Sequence, residues 1–176
     1  MSISKKTQRG FSMVEVLVSL LVIGVGLLGL SGLQIASMKS TGNAHSLNVS
    51  TMLAMELSDR MRANPAGVSG GFYENNVNCT KSEKQCRTST FCTAEEIARL
   101  DTQELKCGVL KNSIREGGVA NLLVGAQLTV DHGVDCNTDI SNTNETSITI
   151  DWSSRNIHQD QAVDQQDQTM TICTIP

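Results

Sequence analysis

Three sets of residues carry the chemistry this chain could do. The first is Glu15, one carboxylate a few positions into "RGFSMVEVLVSLLVIGVGLLGL", a run that otherwise reads as membrane and follows a basic stretch ending in Gly10. An ionised carboxylate at the centre of a membrane helix costs about 2.5–3.5 kcal/mol on insertion scales, so its presence asks for a physical reason. Snorkelling toward the interface is the ordinary reading for a charge near a helix end. The second set is six cysteines, Cys79, Cys86, Cys92, Cys107, Cys136 and Cys173, all of them after the apolar run. An even count in a small domain behind a membrane-targeting segment points to disulfides in an oxidising compartment. Zinc is the competing use, but there is no C-x-x-C pair, and the tightest spacings are C-x6-C and C-x5-C. Spacing does not decide among the fifteen connectivities of six cysteines. Cys136 with Cys173 is the pairing favoured here, because both flank strand-like segments.

The third set is "DCNTDIS", which places Asp135, Asn137, Asp139 and Ser141 at alternate positions, like the front of a calcium loop. Ile140 stands where such a loop needs glycine, and Thr146 where it needs a bidentate glutamate, so a solvated polar loop is the better reading and no metal or cofactor is expected. His45, His132 and His158 have no motif around them, and Asp131–His132 is an adjacent pair whose side chains point apart in a strand. There is no G-x-S-x-G, no H-E-x-x-H and no glycine-rich phosphate loop. The chain reads as the substrate of an enzyme rather than as an enzyme.

The elements that must position these residues follow from the pattern. Val16 to Met38 is 23 residues without a charge, about 35 Å as helix, enough to cross a bilayer. Lys5, Lys6 and Arg9 precede it and place that end in the cytoplasm by the positive-inside rule. A cleaved secretory signal would have a shorter apolar core and a small-residue cleavage site behind it. The helical pattern then continues, with Met38, Gly42, His45, Val49, Leu53, Leu57 and Met61 recurring every three or four residues up to Asn64–Pro65. One helix from Phe11 to Ala63 is predicted, about 80 Å long. Gly24, Gly26, Gly29 and Gly32 lie in its apolar half, which suits close helix–helix approach or local unwinding.

Past Gly67–Gly71, Thr93 with Glu96 and Asp101 with Glu104 have capping-box spacing, predicting one short helix, or two abutting turns, from Ala94 to about Arg115, ended by Gly117–Gly118. Val124–Val130, "TSITIDW" and "QTMTICTI" alternate as strands and follow one another without crossover helices, predicting an antiparallel meander. The stripe from Val49 to Met61 supplies the surface such a small sheet needs. The expected fold is α+β: a long N-terminal helix, half in membrane, packed on a small C-terminal antiparallel sheet. Aromatic residues are 3% of the chain, which argues against a large aromatic-lined cleft. Apart from the three basic residues of the first ten, the balance is 11 basic to 18 acidic, which argues against nucleic-acid binding.

At this level "RGFSMVEVLVSLLVIGVGLLGL" resembles the start of type IV prepilins: a short basic leader ending in glycine, then phenylalanine, with glutamate fifth after the break. "LSDRMRANPAG", Leu57 to Gly67, is similar to the helix end in the PilV group of minor pilins. The chain lacks the proline that major pilins often carry in the membrane half of the helix. The resemblance implies that a prepilin peptidase cuts after Gly10, that the new amine on Phe11 is N-methylated, and that Glu15 neutralises the terminal amine of a neighbouring subunit. It also implies a leader over 1–10, a transmembrane and assembly half over 11–38, a soluble half over 39–64, and a periplasmic globular domain with disulfides over 65–176. The implied location is the inner membrane before assembly and the pilus afterwards. The implied partners are other minor pilins and the major pilin, the peptidase, the inner-membrane assembly platform and a tip adhesin. The implied role is a priming or tip complex behind adhesion and twitching motility. Two other readings compete: a pseudopilin of a type II secretion system, and a membrane-anchored periplasmic binding module that keeps its leader.

Overall fold

The computed structural model describes residues 10–74, 76–86, 91–133, 145–155 and 165–175. A single helix, α1, runs from Met13 to Ala63, 51 residues, starting two positions later than the predicted Phe11. It stops where the sequence places its first breaker. Asn64 has left the helical region (φ −131°, ψ 62°) and its side chain caps a short helix α2, Pro65–Ser69, by accepting from the Gly67 N–H at 3.2 Å. A 3₁₀ turn follows at Phe72–Glu74. Helix α3 spans Ala94–Cys107, with Thr93 and Glu96 forming the predicted reciprocal capping box.

The helix predicted to reach Arg115 ends instead at Cys107, and residues 109–116 form a hairpin of β1, Val109–Lys111, and β2, Ile114–Glu116. The reason is local. Gly108 sits at φ 84°, ψ 164°, a conformation open essentially to glycine alone, and a Cβ there would collide with the carbonyls of Glu116 and Gly117. Asn112 and Ser113 both take positive φ, as a two-residue hairpin turn requires. The second expected capping box is also corrected: Asp101 lies inside α3, and its carboxylate serves a tertiary contact described below. Gly117–Gly118 therefore closes a hairpin rather than a helix.

After a one-turn helix α4, Val119–Leu122, come β3, Gln127–His132, β4, Thr146–Arg155, and β5, Gln165–Thr174. They form one antiparallel sheet in the order β3-β4-β5, the predicted meander, although β3 begins at Gln127 rather than Val124. Register fixes which face is apolar: Leu128, Ile150 and Met170 lie opposite one another, as do Val130, Ile148 and Ile172. The reverse face carries the row Thr129, Thr149 and Thr171.

Two compact units divide the chain, one ending at Gly42 and the other starting at Asn43. In the second, the sheet's inner face packs on Ala54, Leu57 and Met61 of α1, with Ala98 and Leu105 of α3 in the same core. The stripe is the predicted one with a refinement: Ser50, Ala54 and Ser58, spaced four apart, are buried beside Leu57 and Met61. Small side chains here let the helix approach closely, and Ser50 Oγ satisfies itself on the Leu47 carbonyl at 2.9 Å. The architecture is α+β and pilin-like, a long N-terminal helix followed by a small antiparallel sheet.

Candidate functional site

Gly10, Phe11 and Ser12 precede the first helical residue, and Phe11 is 84% exposed. Ser12 acts as the cap. Its carbonyl accepts from the Glu15 N–H at 3.0 Å and the Val16 N–H at 3.3 Å, and its hydroxyl accepts from the Val14 N–H at 3.4 Å. Glu15 is the acidic residue of the first turn. "SMVE" therefore has the S-x-x-E spacing of a helix start, a signal that the sequence reading passed over. Part of the cost of carrying Glu15 is offset locally, because free N–H groups and the positive end of the helix dipole favour a carboxylate there.

Behind Glu15 lies an unbroken apolar helix surface with mean hydropathy 2.5 over its best 18 residues, none of that window buried within the protein. Its hydroxyls are satisfied inside the helix: Ser19 and Ser31 donate to the Glu15 and Leu27 carbonyls at 2.7 and 2.9 Å. A Cβ placed on Gly24, Gly26, Gly29 or Gly32 would meet nothing, so these glycines are bare patches of backbone turned outward. The surface suits lipid or another apolar helix.

At the other end of α1, "LSDRMRANP" builds a polar lock rather than a site of reaction. Arg60 Nη1 donates to Asp101 Oδ1 at 3.2 Å and Glu104 Oε2 at 2.9 Å, while Nη2 donates to Glu56 Oε1 at 2.6 Å. Tyr73 OH donates to Asp101 Oδ2 at 2.9 Å. Asn64 Nδ2 donates to Tyr73 OH at 3.3 Å and to the Ala94 carbonyl at 2.9 Å. One guanidinium and one amide thus tie α1 to α2, the 3₁₀ turn and α3. Burial opposes the Arg60 charge, but its hydrogen bonds to Glu104 and Glu56 and the charge of Asp101 raise its pKa above the ordinary arginine value. Burial pushes Tyr73 and Asp101 up as well.

Two disulfides and one buried glutamine hold the irregular segment before α3. Cys79 joins Cys107 with Cα atoms 5.4 Å apart, and Cys86 joins Cys92 at 5.8 Å. Gln103 donates to the carbonyls of Asn78 and Lys81 at 2.9 and 2.6 Å and accepts from the Glu83 N–H at 2.9 Å. Cys173 is also disulfide-bonded. Its favoured partner Cys136 lies outside the described residues, as do Asp135, Asn137, Asp139, Ser141, His158 and the leader through Arg9. Sequence reasoning named the cysteines but missed Arg60, Tyr73, Asp101 and Gln103, whose roles depend on partners 20 to 44 positions away.

The structure brings Gly10, Phe11 and Glu15 together at the start of α1. His45 lies in α1, whereas His132 Nδ1 stands 2.8 Å from Thr146 Oγ1 across a strand pair. Among the described residues no group of three or more metal-ligating side chains converges. Comparison with known families gives two matches. Residues 5–31 match the prokaryotic N-terminal methylation motif, and residues 32–103 match the family described as type IV pilin Tt1218. No curated protein and no solved structure matches the chain.

Proposed function

We propose that the chain is a minor pilin of a type IV pilus, a reading supported by the match of residues 5–31 to an N-terminal methylation motif and of residues 32–103 to a type IV pilin family. The carrying observation is the continuity of that motif with the apolar first half of α1, whose most hydrophobic 18 residues are none of them buried in the protein, beginning at a capped first turn that contains Glu15. A prepilin peptidase removes residues 1–10, and the exposed amine of Phe11 is methylated. A cationic amine at the positive end of its own helix dipole is poorly placed and gains from an external carboxylate. Glu15 of a neighbouring subunit supplies it, completing a charge pair that becomes affordable in an apolar setting only when both members are present.

Before assembly the chain sits in the inner membrane through residues 11–38, with residues 65–176 in the periplasm and 39–64 leading between them. After assembly it lies in a priming or tip complex with other minor pilins, next to the major pilin and a tip adhesin, and supports adhesion and twitching motility. The resemblance of "LSDRMRANPAG" to the helix end of the PilV group supports assignment to that group; in the structure Arg60 and Asn64 of this stretch tie α1 to neighbouring elements. Deleting the gene and counting surface fibres tests the role. Loss of fibres, restored by the full chain, is expected, with the chain recovered in sheared fibres. Normal fibres with lost export of secreted enzymes would assign it to a type II secretion system instead.

A further inference from the structure

All three apolar side chains of the β1-β2 hairpin, Val109, Leu110 and Ile114, are exposed, and the core is built without them. A two-stranded hairpin is at best marginally stable in water by itself, so this one gains from a surface that covers it. Register puts Val109 and Ile114 on one face with Lys111 and Glu116. Lys111 Nζ meets Glu116 only at 3.8 Å, with both side chains exposed, a pair worth little and easily exchanged. Arg115 spends donors on the Gly108 and Lys81 carbonyls, at 3.1 and 3.0 Å. The hairpin thus carries two cations, Lys111 and Arg115, against one acid, Glu116.

Against α4 lies an open apolar groove of about 730 Å³, lined by Val49, Met52 and Leu53 of α1 and by Leu122. Met52 and Leu122 are exposed in it. The groove and the hairpin share α4 as a border. Asn121 Nδ2 donates to the Cys107 and Gly117 carbonyls at the hairpin's base, at 3.0 and 2.8 Å, and the next residue is Leu122. Glu56, Asp59 and Arg60 form the groove's polar rim. Arg60 also answers Asp101 and Glu104, and Asp59 is met by Arg62, so the rim and its partners set four carboxylates against two guanidiniums. The hairpin is apolar with a basic surplus; the groove is apolar with an acidic one.

We propose that these surfaces fit each other between copies: the β1-β2 hairpin of one copy docks in the α1–α4 groove of a second, and the second reciprocates. Val109 and Ile114 seat on Met52, Leu53 and Leu122, and Lys111 leaves Glu116 for Glu56 of the second copy. Apolar contact supplies the affinity, and the basic hairpin against the acidic rim sets the orientation. The exchange is two-fold because hairpin and groove meet at α4, so one approach engages both. The contact uses residues 49–122 alone and does not depend on the pilin reading.

The test mixes ordinary and heavy-isotope-labelled full chain in detergent and adds a carbodiimide, which joins amines directly to carboxylates in contact. Mass spectrometry is expected to find Lys111 linked to Glu56 in peptides of mixed isotope, which only two copies can form. Ile114→Asp and Met52→Asp, both at exposed positions, should each lower that product about tenfold without moving the melting temperature. Mixed together, the two variants should recover it in one direction, from Lys111 of the Met52→Asp copy to Glu56 of the Ile114→Asp copy. No mixed-isotope Lys111–Glu56 peptide from the parent chain would overturn the proposal. So would that link in single-isotope peptides alone, an undiminished product from either variant, or recovery in both directions. The parent chain gives the first readout, so a variant that fails to fold leaves the proposal open to refutation.

Discussion

Glu15 and Glu96 are both carboxylates in the first turn of a helix, and their surroundings give them different work. Glu96 closes a capping box with Thr93 and accepts from Lys84 Nζ on each carboxylate oxygen at 2.9 Å. The hydrogen bond from Lys84, then that from the Thr93 backbone, hold its pKa below the ordinary carboxylate value. A depressed acid contributes stability that is present above its unfolded pKa and lost as pH falls through its folded one. Glu96→Gln keeps the cap geometry but not the charge. Thermal melts should show the variant less stable at neutral pH and indistinguishable from the parent once the pH is well below about 4. Asp101, raised by burial, acts in the opposite sense, losing stability as pH rises from the ordinary value through its raised one. Asn64→Ala removes a cap and the tie to Tyr73 and Ala94, and should cost about 1–2 kcal/mol in a denaturant titration of the full chain in detergent. Glu15→Ala should leave membrane insertion intact or improved while reducing incorporation into sheared fibres. Normal incorporation would leave Glu15 only its local place in the helix dipole.

At the scale of elements, the hairpin after α3 depends on two glycines that face each other. Gly118, like Gly108, is in a glycine-only conformation (φ 77°, ψ 159°), and a Cβ on it would collide with the Gly108 backbone. Gly108→Ala should therefore destabilise the second unit by about 1–3 kcal/mol, read as a lower melting temperature. It is also expected to speed hydrogen exchange across residues 107–118. The hairpin shows where sequence reading stops. "LKCGVLKNSIREGG" keeps helix-like charge spacing, and nothing local says that Cys107 is tied back to Cys79 or that Asn112–Ser113 will turn left-handed. The long helix, its stop at Asn64–Pro65 and the three sheet strands were legible because each is set by periodicity or a local breaker. The Arg60 lock was not, since two of its carboxylates lie on a different helix; Asp101 and Glu104, read as a cap, are spaced to grip one guanidinium. The readings of Gly10, Phe11 and Glu15 rest on leader, break and acid occupying one short stretch, which lies within the match to the N-terminal methylation motif.

For the whole molecule, the sequence divides its labour between an apolar helix that needs company and a cysteine-stapled domain that folds around the helix's second half. Aromatic residues are only 3% of the chain, and among the described residues the disulfides Cys79–Cys107 and Cys86–Cys92 staple the segment around α3. That composition fits the pilin subunit proposed above, to whose family residues 32–103 are similar. The central claim is that its chemistry is done to it, at Gly10–Phe11. The most direct measurement is mass spectrometry of the chain purified from its native membranes, resolving the mature N-terminus. The account predicts a chain that begins at Phe11 and carries one added methyl group on its α-amine. A chain that still begins at Met1, or one cut elsewhere with an unmethylated amine, would contradict it.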